Sequence, residues 1–181
     1  MRGQPIAGAL TASLTEEPSD RVAALFDFHY PRIYRLARRL TGSSDDALDL
    51  VQETFLRAAQ SIASLPHGRE REEAWLIRVL INLRRDEWRR AAVRRRHDAL
   101  RIQPGLQPDH GSAAIARATI WRALQELPPR RRAVIVMHEL EGLTVSTIAL
   151  QLGISAITVR WHLSAGRRQL TRLLTPRGGG S

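Results

Sequence analysis

Gly153 and Ser155 sit between two apolar stripes of helical period, and this pattern constrains the chain more than any other feature. Val145, Ile148, Ala149 and Leu152 fall on one face of a first helix. Gly153 ends that helix, since glycine takes the left-handed conformation at a helix C-terminus at little cost. Ser155 is placed to cap a second helix. Val159, Leu163, Gly166 and Leu170 then recur at i, i+4, i+7 and i+11 and form its buried stripe. The opposite, exposed face carries Ile157, Trp161, Ser164 and Arg168. This layout predicts a helix-turn-helix, whose second helix enters the DNA major groove.

Charge agrees with a polyanionic partner. The net charge is +10, and all 28 cations are arginine. Such an excess suits nucleic acid or an acidic membrane surface. Arginine's planar fork fits phosphates and guanine edges better than a point charge does. The chain has no cysteine, which excludes disulfides, thiolate chemistry and cysteine-held zinc. The six histidines (29, 67, 97, 110, 138 and 162) are scattered without metal-ligand spacing, so neither metal nor cofactor is expected. No apolar run approaches the roughly 20 residues that span a bilayer, and no signal peptide is evident. A cytoplasmic protein without membrane insertion is the expectation.

The pattern predicts an all-α chain of two small helical domains, a helical bundle plus a helix-turn-helix domain, joined by a flexible linker. Residues 1–20 read as a flexible lead, 21–97 as the first domain and 98–112 as the linker, with two prolines and two glycines. Residues 113–174 form the second domain and 175–181 a flexible tail. Thr41-Gly42-Ser43-Ser44 and Leu65-Pro66-His67-Gly68 break the first domain into helices. Pro129 suits the first turn of a helix in the second.

Two segments of the first domain carry chemistry. In Asp45 to Arg57, Asp46, Asp49 and Glu53 share one helix face, and Leu48, Val51 and Phe55 form the opposing stripe. Ser43 or Ser44 caps it. The acids read either as an ordinary solvated face or as a dock for a basic partner. In Ala74 to Arg96, Trp75, Val79 and Leu83 form a buried stripe joined by Leu76 and Leu80. Asn82, Arg85, Arg89 and Arg96 share another face. Residues 78 to 101 hold nine arginines against Asp86, Glu87 and Asp98. The arginines suit phosphates, and Asn82 suits a base edge. Trp75 reads as core. Trp88 fits either the core or a stack on an unpaired base.

These segments, in this order, resemble an extracytoplasmic-function sigma factor of bacterial RNA polymerase, a sigma-70-type chain with regions 2 and 4 only. The resemblance runs from about residue 22 to 174. It rests on Asp46-Ala-Leu-Asp-Leu-Val-Gln-Glu-Thr-Phe55, on Ala74 to Arg96, and on Leu124-Gln-Glu-Leu-Pro-Pro-Arg to Leu170. It implies a non-enzymatic initiation factor that binds core RNA polymerase and recognises and melts promoter DNA. Asp46, Asp49, Leu50, Gln52, Glu53 and Phe55 would engage core polymerase at the β′ coiled coil. Asn82, Arg85, Arg89 and Arg90 would lie on minus-ten DNA, with the loop from about Ser61 to Glu73 helping to hold an extruded base. Thr158, Arg160, Trp161, His162, Ser164, Arg167 and Arg168 would lie at the minus-thirty-five element. The β flap and an anti-sigma factor are further implied partners.

The chain departs from the family pattern at several positions. Leu48 replaces a usual Glu. Ser146, Thr147 and Leu150 replace frequent acids. Trp161 and His162 stand where Ser and Arg are usual, and Ala165 replaces another Arg. The recognition helix is thus less basic than typical, and Trp161 suits either a thymine methyl or a protein partner. The main alternative is a helix-turn-helix regulator that never engages core polymerase; it leaves both first-domain segments unexplained. A nuclease using Asp45, Asp46 and Asp49 would need a second ligand cluster that the sequence lacks. A basic helical RNA-binding or membrane-surface protein would show no preference for duplex promoters.

Overall fold

In the computed structural model, which describes residues 17–97 and 112–175, seven α-helices follow from local punctuation. Helix α1 spans Pro18–Thr41 with proline in its first turn, and Gly42 at φ 80° closes it by donating its N–H to the Arg38 carbonyl. Arg38 and Arg39 favour the negative end of its dipole. Helix α2 is Ser44–Gln60, capped by the Ser43 hydroxyl, which accepts from the Asp46 N–H. A 3₁₀ turn at Ile62–Ser64 leads to α3, Arg69–His97. Arg21 donates to the Ile62 and Leu65 carbonyls at 2.7 and 2.8 Å, tying that turn to α1. Helix α4 is Ser112–Gln125. Helix α5, Pro129–Ile135, opens on a proline and widens into a π-helical turn over Val136–Leu140.

Helices α6 (Val145–Leu152) and α7 (Ala156–Leu174) form the expected helix-turn-helix. Thr144 and Ser155 cap them through the Thr147 and Thr158 N–H groups, and Gly153 adopts φ 64° between them. Val159, Leu163 and Gly166 are buried as the spacing predicts, and Leu170 packs on them. Gly166 sits inside a helix because nothing larger fits there. A Cβ at this position would stand 2.7 Å from Ile135 Cγ1 and 2.9 Å from Cδ1, so the glycine lets α5 and α7 approach.

Two expectations change. The inner stripe of α2 is Ala47, Leu50, Val51, Thr54, Phe55 and Ala58, whereas Leu48 is 45% exposed. On α3 the buried set is Leu76, Ile77, Leu80, Ile81 and Leu83, and Trp75 and Val79 only pack partly against it. The reason is tertiary: α3 is covered by α1 and α2 on one side and by α5 and α6 on another, so its apolar arc is wider than a one-sided stripe. Trp88 is half-buried.

The two helical sets are packed together. Leu36, Leu40 and Leu80 of the first set and Leu127, Val134 and Ile148 of the second belong to one continuous apolar cluster. The segment expected as a linker falls outside the described residues except Ser112, which begins α4. Likewise only Glu17 to Asp20 of the expected lead are described, and Pro18 to Asp20 are helical. Of the expected tail only Thr175 is described.

Candidate nucleic-acid interface

Helix α2 displays Asp46, Asp49 and Gln52 to solvent, with Glu53 partly exposed. Glu53 accepts from Arg57 Nε at 2.9 Å one turn on. Exposed pairs of this kind are worth little, so the carboxylate stays available. Leu48 and Leu56 are exposed beside this ridge. Leu50 and Phe55 are 2% and 7% exposed and face inward. They hold the ridge in place and present no side chain to a partner. Thr54 buries its hydroxyl by donating to the Leu50 carbonyl at 2.7 Å.

On α3, Asn82, Arg89 and Arg90 are exposed and Arg85 is partly so. Arg85 and Arg89 stand 3.7 and 3.9 Å from Asp86, distances too long to occupy their guanidinium forks. The side chains of Arg94 to His97, including Arg96 of the expected basic face, lie outside the described residues. Asn82 is at the lip of a cavity of about 70 Å³ shared with Arg78, Ile81, Arg130 and Leu152. A Cβ at Gly153 would meet Arg78 at 3.5 Å. The turn of the helix-turn-helix therefore lies against the first half of the α3 basic face. Beyond α3's start, His67 and Arg69 border a cavity of about 200 Å³ with Arg21, Phe28 and Glu72, and the Arg69 guanidinium stands 4.0 Å over the Phe28 ring. The loop expected from Ser61 to Glu73 is shorter in the structure, since α3 starts at Arg69.

On α7, Arg160, Trp161, Ser164, Arg167 and Arg168 are exposed. Arg167 donates from Nε and Nη2 to Glu139 Oε1 at 2.9 and 2.7 Å, so its fork is taken up by α5's π-turn. Arg168 donates to Ser164 Oγ at 2.7 Å. Thr158 turns its hydroxyl to Ser155 at 2.8 Å and serves the cap. His162 is half-buried. Burial lowers its pKa from the ordinary 6.5, and the Arg131 and Arg130 cations push the same way. The folded state thus resists the imidazolium more than the unfolded chain does. Below pH 6.5 the unfolded chain takes the proton first, so stability falls as acid is added until the folded group also protonates. Melting wild type and His162→Gln between pH 7.5 and 5.5 should show a steeper loss of Tm in the wild type.

One feature of the seam between the two helical sets escaped the sequence. Arg132 is 1% exposed. It donates to the Leu40 carbonyl at 2.6 Å, to Gln125 Oε1, and to the Gln125 and Leu127 carbonyls at 2.6 and 3.2 Å. Gln125 Nε2 donates to the Leu40 and Thr41 carbonyls at 3.3 and 2.9 Å. Region-spanning side chains thus satisfy the last carbonyls of α1. Desolvation lowers the Arg132 pKa to about 10, with nearby Arg84 adding to the fall and Glu126 opposing it; the group remains a cation at neutral pH. A second clamp is Glu141, whose carboxylate meets Arg32 at 2.7 Å and Arg39 at 2.9 Å and whose side chain is 5% exposed. The π-turn delivers it there, ending as the Glu141 N–H donates to the Val136 carbonyl at 3.2 Å. Nothing in the sequence signalled that turn.

Among the described residues no helix is long and apolar enough to cross a membrane. The model of Sigma-70 region 2 matches residues 25–94, and that of Sigma-70, region 4 matches residues 117–170. These two matched units contain the acidic ridge, the basic helix and the helix-turn-helix, and together they define a sigma-70-type initiation factor. The ECF RNA polymerase sigma factor SigL of Mycobacterium tuberculosis is 36% identical over 158 residues, covering 86% of this chain and 89% of its own. SigE of Mycolicibacterium smegmatis, also an ECF sigma factor, is 36% identical over 149 residues, and the match spans 57% of its length. The fold matches that of the sigma factor RpoE of Bartonella quintana, solved with the anti-sigma factor NepR, with a TM-score of 0.62 at 24% identity over 86% of this chain and 97% of that one. The chain belongs to the extracytoplasmic-function sigma factors of the sigma-70 family, and its function is that of an alternative sigma factor in promoter-specific transcription.

Proposed function

We propose that α2 docks on core RNA polymerase, α3 grips and melts minus-ten DNA, and α7 reads the minus-thirty-five element. The observation that carries this reading is the separation of charge. An acidic ridge stands on α2 and exposed arginines on α3 and α7, within a chain whose net charge is +10. Asp46, Asp49, Gln52 and Glu53 form the ridge for a basic coiled-coil partner, the β′ subunit, and region 4 meets the β flap. Asn82, Arg85, Arg89 and Arg90 hold an unpaired strand, and the cavity beside His67 and Arg69 receives an extruded base. No step of this function is catalytic, and the cytoplasm is where polymerase would be met.

Geometry adds a condition. Minus-ten and minus-thirty-five elements lie about 25 base pairs apart, or about 85 Å along duplex DNA. Helix α3 touches α6 directly, so the packed arrangement cannot span both elements. We read it as a resting form that parts when polymerase binds. A partner that keeps the two regions together would hold the factor inactive, the role we propose for an anti-sigma factor.

The test is capture of core polymerase by the purified chain, repeated with Asp49→Arg and Glu53→Arg. Each reversal should weaken capture about tenfold, equivalent to about 1.4 kcal/mol. A chain indifferent to core polymerase, with or without the reversals, would instead be a regulator acting through its helix-turn-helix alone.

A further inference from the structure

The face that α7 turns outward is apolar where a major-groove helix normally carries hydrogen-bonding side chains. Ile157 is 76% exposed and Trp161 55% exposed, one turn apart in the N-terminal half of the helix. That half is the part of a recognition helix that reaches base edges. Neither side chain offers an acceptor, and Ile157 offers no donor. The one apolar group that base pairs present in the major groove is the C5-methyl of thymine. Farther along the same face Arg168 donates to Ser164 Oγ at 2.7 Å, and Arg167 beside it is tied to Glu139 by two hydrogen bonds.

The surroundings favour DNA over a protein as the occupant of this face. Residues 145 to 174 contain no Asp or Glu and four arginines. Arg160 and Arg168 are exposed beside the two apolar side chains and suit flanking phosphates. The indole is held in place before binding. The Arg131 guanidinium lies 5.4 Å from its ring centre, and the His162 ring meets it edge-on at 4.9 Å. A side chain fixed in this way loses little freedom when it is covered.

We infer that Ile157 and Trp161 determine specificity at the minus-thirty-five element by packing on thymine methyl groups, so that this factor selects thymine where a more basic recognition helix selects guanine. The inference rests on the proposed placement of α7 at that element.

The test uses holoenzyme assembled from core polymerase and the full chain. It transcribes a promoter library randomised across the minus-thirty-five element, and the recovered sequences are read. The best template is then rebuilt with each thymine replaced by uracil, which removes only the methyl. Burial of one methyl predicts a three- to fivefold loss of initiation for each contacted thymine. Trp161→Ala holoenzyme should lose the uracil penalty at one position and relax its thymine preference there. Arg160→Ala should weaken all templates alike and keep the penalty. Equal transcription of thymine and uracil templates overturns the inference, as does a penalty that survives both Trp161→Ala and Ile157→Ala. A library from which nothing initiates is a separate failure, because it removes the sigma reading and this inference with it.

Discussion

Replacing Asn82 and Arg89 together by alanine should reduce open-complex formation by more than about a hundredfold while core-polymerase capture stays within about twofold of wild type. Both side chains are exposed on α3, seven residues apart and therefore two turns along one face. Arg89 has the most open guanidinium among the arginines of α3 paired to an acid, at 68% exposure and 3.9 Å from Asp86. Its loss removes a cation from phosphate, which lowers affinity and flattens the salt dependence by about one unit of slope. Asn82 adds a donor and an acceptor for a base edge. Neither residue lies on α2, where the acidic ridge meets polymerase in the proposed arrangement. Permanganate reactivity of melted thymines measures the first quantity and capture on immobilised core the second. Equal losses in the two assays would show that α3 serves polymerase binding and not DNA.

Much of this architecture was legible because local signals and tertiary structure agree. Ser43, Gly42, Pro129, Gly153 and Ser155 all act where their chemistry predicts. The α7 stripe was legible for the same reason: α4, α5 and α6 all pack against α7, yet Ile157, Trp161, Ser164 and Arg168 stay exposed on the face that the spacing left outside. Leu48 misled because a leucine next to an apolar stripe reads as part of it, although the arc buried under α1 and α3 runs from Ala47 through Leu50, Val51 and Thr54 to Ala58. Helix α3 misled in the opposite sense: Ile77 and Ile81 are buried because a second layer, from α5 and α6, closes over that side. Helical period cannot show how many partners a helix has.

The acidic ridge and basic faces were visible as residue types at fixed spacing. Which of them remain free was not. Arg167 loses its fork to Glu139 only because a π-turn brings α5 to it, and Leu50 and Phe55 turn inward although they belong to the same motif as Asp49 and Glu53. The packing of the two regions was equally hidden. It depends on one of three consecutive arginines, Arg130, Arg131 and Arg132, becoming buried, and all three look like solvated cations in the sequence.

That arginine supports the second large effect. Arg132→Leu should lower stability by about 3–5 kcal/mol and also open the seam between the two regions. The substitution removes a buried cation that serves four acceptors, two of them the Leu40 and Gln125 carbonyls at 2.6 Å. Each acceptor left dry costs about 1–3 kcal/mol. The Leu40 carbonyl belongs to the C-terminal end of α1, where a cation also offsets the helix dipole. Part of the loss therefore falls on region 4 itself and part on its attachment to region 2, and two measurements separate them. Thermal unfolding reports the sum. Binding of a single-stranded minus-ten oligonucleotide by the free chain reports the attachment, because apparent affinity rises with the fraction of molecules in which the Arg78 end of α3, overlain by the helix-turn-helix, is freed. Arg32→Gln with Arg39→Gln isolates the attachment further, since these two residues reach Glu141 across the seam without entering the Arg132 site. This pair should raise oligonucleotide binding several-fold with a smaller fall in Tm than Arg132→Leu. If oligonucleotide binding is unchanged in both variants, the seam does not restrain α3, and the packed arrangement has no part in holding the factor at rest.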